Sequence, residues 1–295
     1  MVLAHGIVQS ENGVGHITRL KNLDLSSYTI MSGKHTKVDI NVKLSQLSNQ
    51  EEPTLVFEGF PFDRHDWIEC DIESQLQYCR EEGKSIICSI RDIVIPWAPE
   101  SEKRIQQTIY YLNEYFDLVL VHSDPNFCKL EDSFPHTDLI DVPIEYTGYV
   151  SQSWDYELEK RRGTIVAAGG GIVDKEVFNY ALKDTTLPRP LTFCIGQKSK
   201  YDLDKLILDH NIVIGLTTKD FRELISEAQI VVSQCGYNTF TDVIATKSPV
   251  HWLPYVDKDG TGDQSKRVEL WNTRSIRNIN LNGIENTAKI LSNFT

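Results

Sequence analysis

The sequence contains no apolar run that approaches the roughly 18–20 residues needed to cross a bilayer. Its amino-terminal stretch, MVLAHGIVQSENG, also has no basic flank, no long apolar core and no small-residue cleavage site. These three features define a secretory leader, so we expect no signal peptide. The sequence therefore predicts a cytoplasmic protein with no membrane span.

Basic side chains are few, with 30 Lys and Arg against 42 Asp and Glu and a formal net charge of −12. A protein that coats nucleic acid needs clustered Lys and Arg to neutralise phosphates, so the charge balance argues against that class and leaves a local basic groove open. The six cysteines form no CxxC pair and no zinc-like grouping. We expect them to be reduced, mostly buried thiols. They are Cys70, Cys79, Cys88, Cys128, Cys194 and Cys235.

Short β-branched runs alternate with segments of helical period along all 295 residues, which is typical of parallel sheets covered by helices. The pattern turns polar near 151–163 and then restarts. We therefore predict an α/β protein with two doubly wound, Rossmann-like domains, 1–150 and 151–295, that face a central cleft. Ligands are then expected at the carboxyl ends of the strands. The predicted strands of the first half are 2–9, 27–32, 54–59, 85–90, 117–123 and 138–150.

The first candidate motif is SENGVGHITR at 10–19, between a predicted strand and a predicted helix. Gly13 and Gly15 allow close approach of a ligand to the backbone. The helix start that follows offers free N–H groups suited to phosphate. His16 has the side chain of a general base near neutral pH. The alternative interpretation is a plain turn before a helix.

The second motif, VAAGGGIVD at 166–174, places Gly169, Gly170 and Gly171 between a buried strand and a helix. It is neither a Walker A sequence nor a GxGxxG fingerprint, but it fits a loop that approaches phosphate. A tight connection from strand to helix fits the same residues equally well.

The third motif is SQCGYNTFTDVIATKSPVHWLPY at 233–255, with DQSKR at 263–267 beyond it. A strand ends in a turn at Gly236, and the next helix carries Asp242 one turn beyond Asn238. A carboxylate in that position can accept hydrogen bonds from the two hydroxyls of a ribose. A partner of the helix dipole is the simpler interpretation of Asp242.

Taken together, these motifs resemble the GT-B glycosyltransferases. The shared pattern is GxGHxxR at the amino terminus, a glycine loop that opens the second half, and SQCGYNTxxD…P…DQxxR. The similarity is greatest to the branch that contains the N-acetylglucosaminyltransferase of peptidoglycan lipid assembly and to bacterial predicted glycosyltransferases. The segments 58–64 (EGFPFDR), 89–92 (SIRD) and 146–150 (YTGYV) resemble further parts of the latter group.

The resemblance implies a nucleotide-sugar donor, usually a UDP-sugar, held by the second domain, and no further cofactor. It implies that Asp242 holds the ribose, that the glycine loop and the turn at Ser233–Thr239 meet the diphosphate, and that Asp263 and Gln264 read the sugar hydroxyls. The donor-binding residues are then Gly15, Gly169, Gly170, Gly171, Thr218, Phe221, Ser233, Gly236, Tyr237, Asn238, Thr239, Asp242, Asp263 and Gln264, with Thr218 and Phe221 at the edge of the base. His16 is the catalytic residue.

The expected reaction is transfer of the sugar to a hydroxyl acceptor that His16 deprotonates, while backbone N–H groups stabilise the leaving diphosphate. That arrangement makes a metal dispensable, and D-K-D at 257–259 is interpreted as a solvated loop rather than a cation site. The acceptor is not identified by the sequence. Candidates on the acceptor side are Arg19, Arg64, Arg91 and Asp92, for which structural ion pairing is the alternative.

Three other functions stay open. A compact relative of this fold hydrolyses UDP-activated amino sugars in nonulosonic acid synthesis and shares the GxGHxxR start. A transferase that modifies a DNA base is the second, with nucleic acid only as acceptor. A non-catalytic nucleotide-sugar binder is the third.

Overall fold

The computed structural model describes residues 2–9, 19, 21–23, 25–31, 52–62, 72–95, 101–151, 154, 161–169, 174–196, 198–206, 210–256 and 262–294. Within these ranges the chain divides into two compact units. The first contains Met1–Val150 together with Arg277–Thr295, and the second contains Ser151–Ile276.

The first unit is built on a six-stranded parallel sheet with the order β2-β1-β3-β4-β5-β6. Of the helices that the described ranges hold in full, α1 (Ile72–Glu81) and α2 (Ser101–Tyr115) lie between its strands in sequence, and α7 (Gly283–Leu291) comes from the end of the chain. The strands are β1 Val2–Gln9, β2 Leu25–Met31, β3 Thr54–Glu58, β4 Ser85–Arg91, β5 Leu118–His122 and β6 Ile144–Tyr146.

Both faces of this sheet are buried, which explains the continuous apolar runs of its strands. Leu55 of β3 faces a core that contains Ile72 of α1 and Leu112 of α2. Its neighbour Val56 points to the opposite face and packs in a cluster with Leu291 of α7. Side chains alternate between the two faces along the strand, as the period of a β-strand requires.

The second unit contains a five-stranded parallel sheet with the order β11-β10-β7-β8-β9. Its strands are β7 Thr164–Ala167, β8 Leu191–Ile195, β9 Asn211–Ile214, β10 Ile230–Ser233 and β11 Val250–Trp252. Its helices are α3 Lys175–Lys183, α4 Thr218–Ser226, α5 Tyr237–Thr246 and α6 Asp263–Thr273. The α/β class and the parallel sheets are as the alternating pattern predicts.

The end of the chain departs from the expected organisation. Residues 277–295, which we placed in the second domain, belong to the first unit. The apolar side of α7 covers one face of the first sheet through Leu291. The last turn is also fixed there, because the Thr54 hydroxyl donates to the carbonyl of Phe294 at 2.7 Å. Sequence order alone does not show that a terminal helix returns to the first sheet.

Two local predictions are also wrong in extent. The strand expected over 138–150 is only Ile144–Tyr146, since a 3-10 turn forms at Thr137–Leu139 and Gly148 takes a φ of +81°. The helix expected at 202–209 appears as a 3-10 turn at Leu203–Lys205, and residues 207–209 lie outside the described ranges.

Candidate functional site

Two adjacent strands of the second unit end side by side. β10 pairs with β7 so that Ser233 lies opposite Ala167, the last residue of its strand. The Ser233 hydroxyl donates to the Ala167 carbonyl at 2.6 Å, and the serine is fully buried. Ser233 thus holds the ends of β7 and β10 together, and its hydroxyl donates its hydrogen bond within the protein rather than to a ligand.

Two glycines stand at this edge, one just beyond each strand. Gly169 follows β7 with a φ of +53°, in the left-handed region that favours glycine. Gly236 follows β10 and is the N-cap of α5, with an ordinary φ of −68°. In the described part of the chain no heavy atom lies within 4 Å of the place a Cβ would take at either residue. Among the described residues, therefore, nothing fills the space beside the backbone at these two points, where a ligand could approach it.

Helix α5 starts at this edge without a side-chain cap. Its N-cap, Gly236, has no side chain to accept from the first N–H groups, and its first turn contains no acidic residue. The positive end of the helix dipole is therefore uncompensated by the helix itself, which suits an anion. Of the predicted residues in its first turn, Tyr237 is buried, and Asn238 and Thr239 are half-buried.

Helix α4 has the opposite arrangement. Thr217 and Asp220 form a capping box: the Asp220 backbone N–H donates to the Thr217 hydroxyl at 3.2 Å, and the Asp220 carboxylate accepts from the Thr217 backbone N–H at 3.0 Å. The Asp220 carboxylate also accepts from the Thr217 hydroxyl at 2.7 Å. These bonds lower the pKa of Asp220. The start of α4, with the predicted Thr218 and the half-buried Phe221, is therefore closed by its own carboxylate and does not offer an anion site.

Asp242 lies in a buried ion pair. Its Oδ1 accepts from Arg222 Nε at 2.5 Å, and Arg222 Nη2 donates to the Ser151 hydroxyl at 2.9 Å. Asp242 is only 5% exposed. Burial raises the pKa of Asp242 to about 6, although the Arg222 guanidinium opposes the shift. As placed, the carboxylate joins α5 to α4, and a ribose would have to share it with Arg222.

The predicted sugar-reading pair stands at the start of α6. The Gln264 side-chain carbonyl accepts from the backbone N–H of Tyr255 at 2.9 Å, which ties the helix to the loop after β11. The Asp263 carboxylate accepts from Arg267 at 3.0 Å. Arg267 is fully buried and also donates to the carbonyl of Cys235, next to Gly236. Arg267 therefore fixes the start of α6 against the turn that opens α5.

The first unit carries a row of buried polar side chains at the carboxyl ends of its central strands. Arg19 pairs with Glu58 at the end of β3. The Ser89 hydroxyl donates to the other Glu58 oxygen at 2.7 Å and contacts His122 Nε2 at 2.9 Å. His122 Nδ1 contacts the Thr147 hydroxyl at 2.8 Å. All five residues are at most 1% exposed, and we call them the buried polar row.

Burial and the nearby Arg19 charge hold the pKa of His122 well below 6.5, so the ring is neutral. The pairing of Arg19 with Glu58 agrees with the alternative interpretation, in which Arg19 belongs to a structural ion pair. Its guanidinium has no exposed surface to present to an acceptor.

Asp92 is also buried at the end of β4. Its carboxylate accepts from the Tyr149 hydroxyl at 3.2 Å, and its backbone carbonyl accepts from the Cys128 thiol. It therefore supports the loop after β6 and has no surface for an acceptor. Arg91, at the end of β4 opposite His122, is half-buried and is the acceptor-side candidate that keeps an accessible side chain in the described ranges.

Five predicted site residues and two further motif positions lie outside the described ranges. They are Gly15, His16, Arg64, Gly170 and Gly171, together with Gly13 and the 257–259 loop.

Sequence reasoning missed the residues that hold these sites in place, namely Glu58, Ser89, Thr147, Arg222 and Arg267. The signal that could have found one of them was a charged residue within an apolar run: Glu58 closes the buried strand TLVFE. A charge in such a position is rarely left without a partner. The sequence does not show which partner it takes.

Comparison with solved structures identifies the fold of the whole chain. The chain matches a UDP-glucosyltransferase from Polygonum tinctorium that glucosylates indoxyl, with a TM-score of 0.56 at 11% identity over 98% of both chains. It matches Arabidopsis thaliana UGT89C1, solved with UDP-L-rhamnose, with a TM-score of 0.57 at 9% identity over 99% of this chain and 90% of the other.

The chain has the GT-B fold. MurG of Acinetobacter baumannii shares it as well, with a TM-score of 0.51 at 11% identity over 98% of this chain and 94% of that one. No family model matches the sequence, and no curated protein matches it. No helix in the described ranges is long and apolar enough to cross a membrane. At such low sequence identities, structural similarity establishes the GT-B fold alone. The chemistry has to be inferred from the residues of this chain.

Proposed function

We propose that this protein transfers a sugar from a nucleoside diphosphate donor of the UDP type to a hydroxyl acceptor. The observation that supports the proposal is the edge of the second sheet at Gly169 and Gly236. Space beside two backbone segments coincides there with the uncapped, positive start of α5. Phosphate groups bind at helix N-termini of this kind, so we expect the diphosphate of the donor at this edge.

The leaving diphosphate is stabilised by backbone N–H groups that the fold has already oriented. Ser233 and Arg267 keep these N–H groups oriented. Ser233 bonds β10 to β7, and Arg267 donates to the Cys235 carbonyl beside the turn at Gly236. Donors fixed before the reaction cost no reorganisation when charge develops. This is how the chain stabilises the departing group without a cation, so turnover is expected to survive EDTA.

His16 is the proposed base that takes the proton of the acceptor hydroxyl. Asp263 and Gln264 are the proposed contacts to the sugar, presented by the start of α6 and oriented by Arg267 and Tyr255. For Asp242 we propose an indirect role. The carboxylate that a ribose would share also holds Arg222, and through Arg222 the position of α4 beside α5.

The test is a screen of UDP, GDP, dTDP and CMP sugars with a panel of hydroxyl acceptors, with release of nucleotide and formation of product followed together. A transferase releases nucleotide fast only when an acceptor is present. Stoichiometric release of free sugar without any acceptor would instead identify a hydrolase. Binding of nucleotide without turnover of any pair would identify a non-catalytic binder, and product on a DNA base would identify the nucleic-acid acceptor.

The His16→Ala variant separates binding from chemistry. It should abolish product formation and leave the Kd for UDP within about twofold, since the proposed donor contacts lie mainly in the second unit. Loss of UDP binding together with turnover would count against a role as base.

A further inference from the structure

One polar group of the second unit is enclosed without a conventional hydrogen-bond partner. Trp252 is the last residue of β11 and is 9% exposed, and its Nε1 is shielded from solvent. No oxygen or nitrogen in the described part of the chain accepts a hydrogen bond from it. A buried indole N–H usually has an acceptor, and leaving it without one costs free energy. An acceptor of another kind would explain why the donor is kept there.

The face of an aromatic ring is such an acceptor, and Trp271 of α6 brings one into contact with Trp252. The two indole rings meet edge to face, with centroids 5.7 Å apart and planes at 88°. In this arrangement the electropositive edge of one ring, which in an indole includes the N–H, lies against the electron-rich face of the other. Trp271 also meets Phe240 of α5 edge to face, with centroids 5.9 Å apart. Trp271 thus packs against β11 and α5 at once.

Helix α6 is held to α5 at two levels. Arg267 of α6 donates to the Cys235 carbonyl, beside the turn at Gly236. Trp271 lies one helical turn beyond Arg267, so the two side chains are neighbours on the surface of α6. Phe240 likewise lies one turn beyond Gly236, since its backbone N–H donates to the Gly236 carbonyl. The two contacts are about 6 Å apart along the axis of α6.

We propose that the Trp252 N–H points at the face of the Trp271 ring, and that Trp271 is a positioning residue for the sugar of the donor. One contact fixes where α6 lies, and a second is needed to fix its direction. Trp271 supplies the second contact and so sets where the start of α6 presents Asp263 and Gln264. The proposal rests on the proposed function. Trp271 touches neither donor nor acceptor in it and acts only through the direction of α6.

The proposal separates the sugar of the donor from its diphosphate. The diphosphate is expected at the turn that opens α5, whereas the sugar contacts come from α6. Loss of Trp271 should therefore weaken the binding of a UDP-sugar and leave the binding of UDP nearly unchanged. The ratio of the two dissociation constants measures this effect, because a general loss of structure would weaken both ligands.

Three variants test the contact. Trp271→Leu removes the aromatic face and keeps an apolar side chain, whereas Trp271→Phe keeps a ring. Because Trp271→Leu leaves the Trp252 N–H buried without an acceptor, the double variant Trp252→Phe/Trp271→Leu removes donor and acceptor together and keeps the fold testable. The matched control is Phe193→Leu. Phe193 of β8 also makes an edge-to-face contact within the second unit, with Phe178 of α3, at a centroid distance of 5.4 Å and an angle of 80°.

The first measurement is calorimetry with UDP and with the UDP-sugar that the screen identifies as donor. We expect Trp271→Leu and the double variant to bind the UDP-sugar about tenfold or more weakly relative to UDP, and Trp271→Phe to stay within about threefold of the wild-type ratio. Phe193→Leu should keep the ratio. An unchanged ratio in a folded double variant, or an equal change in Phe193→Leu, would overturn the positioning role.

The second measurement needs no ligand and separates this proposal from the proposed function. In ¹H–¹⁵N spectra of the ¹⁵N-labelled protein, the indole N–H signal of Trp252, assigned by its loss in Trp252→Phe, should lie upfield of the usual indole range, because a ring face shields a proton above it. The signal should return to that range in Trp271→Leu and stay upfield in Trp271→Phe. A wild-type signal in the usual range, or one indifferent to Trp271→Leu, would overturn the proposal even if the protein proves to be a transferase.

Failure of the proposed function gives a different result. If the Trp252 signal behaves as expected but the wild type binds no sugar nucleotide, the proposed function fails and the role of Trp271 in positioning a sugar fails with it.

Discussion

Arg222 donates from Nε to the Asp242 carboxylate over 2.5 Å, and both side chains are almost completely buried. The pair joins α4 to α5 beside the turn at which the diphosphate is proposed to bind. Its carboxylate has a pKa raised to about 6, chiefly by burial. A position that the sequence assigns to ribose binding is therefore also a support of the fold.

The raised pKa of Asp242 makes stability depend on pH in a defined direction. In the unfolded chain this carboxyl ionises near 3.8, and in the folded protein near 6. Between pH 3.8 and 6 the Asp242 carboxyl is protonated in the folded protein but ionised in the unfolded chain. The contribution of Asp242 to the free energy of unfolding is therefore fully present below pH 3.8 and is lost as pH rises through 6. The loss is up to about 1.4 kcal/mol per pH unit within that window. Asp242→Asn removes this slope, as measured by urea unfolding from about pH 4 to 7.

The control for this experiment is Asp220→Asn, because the contribution of Asp220 to stability depends on pH in the opposite direction. The capping box lowers the pKa of Asp220, so its contribution is present above pH 3.8 and is lost as pH falls. Parallel dependences of stability on pH in the wild type and Asp242→Asn over this range would contradict the raised pKa of Asp242 in the folded protein.

His122 gives a second pH-dependent prediction. Its folded pKa lies well below the unfolded value of 6.5, because burial and Arg19 disfavour the imidazolium. Its contribution to stability is fully present above pH 6.5 and is lost as pH falls, since the unfolded chain then binds a proton that the folded state refuses. The Tm of His122→Gln should therefore fall less than the Tm of the wild type as the pH is lowered from about 6.5 to 5. His136→Gln, at the half-buried N-cap of the 3-10 turn Thr137–Leu139, is the control for the loss of a histidine as such.

Arg267 is predicted to support the donor site without touching the donor. Arg267→Met leaves the Asp263 carboxylate and the Cys235 carbonyl without their buried donor, which should cost about 2–4 kcal/mol in urea unfolding. The neighbouring Lys266→Met removes a solvent-exposed pair with Glu269 and should cost at most about 0.5 kcal/mol. Equal stability losses in the two variants would show that Arg267 does not fasten α6 to the turn.

Much of the fold could be predicted because local patterns determine it. Buried parallel strands such as Thr54–Glu58 read as unbroken apolar runs, and α2 repeats its apolar residues at helical spacing. The glycine turns at Gly169 and Gly236 could also be located, because a glycine that follows an apolar strand and precedes a helical pattern indicates a turn. Each of these features depends on neighbours within about 15 residues.

What could not be predicted depends on distant partners. Glu58 meets Ser89 across 31 residues, and Arg222 meets Asp242 across 20, so no local pattern announces either pair. Arg19 and Asp92 were expected to face an acceptor, because a polar residue near a strand end is equally compatible with a ligand and with a buried partner. The return of α7 to the first sheet likewise depends on which apolar face is left uncovered.

The central claim is that a nucleoside diphosphate lies against the backbone at Gly236, and two substitutions there test it with opposite effects on folding and binding. Gly236→Ser and Gly236→Asp add a side chain where the described chain leaves space, at a φ that any residue adopts. Both supply the N-cap that α5 lacks and should stabilise the protein by about 0.5 kcal/mol. Asn282→Asp, at the N-cap of α7 in the first unit, is the matched control.

The deciding measurement is the Kd of UDP by calorimetry for the wild type and these three variants. The account predicts that the wild type and Asn282→Asp bind alike, that Gly236→Ser binds more than about tenfold more weakly, and that Gly236→Asp binds more weakly still despite its higher Tm. If Gly236→Asp, folded and at least as stable as the wild type, binds UDP as tightly as the wild type does, the diphosphate does not lie at this turn.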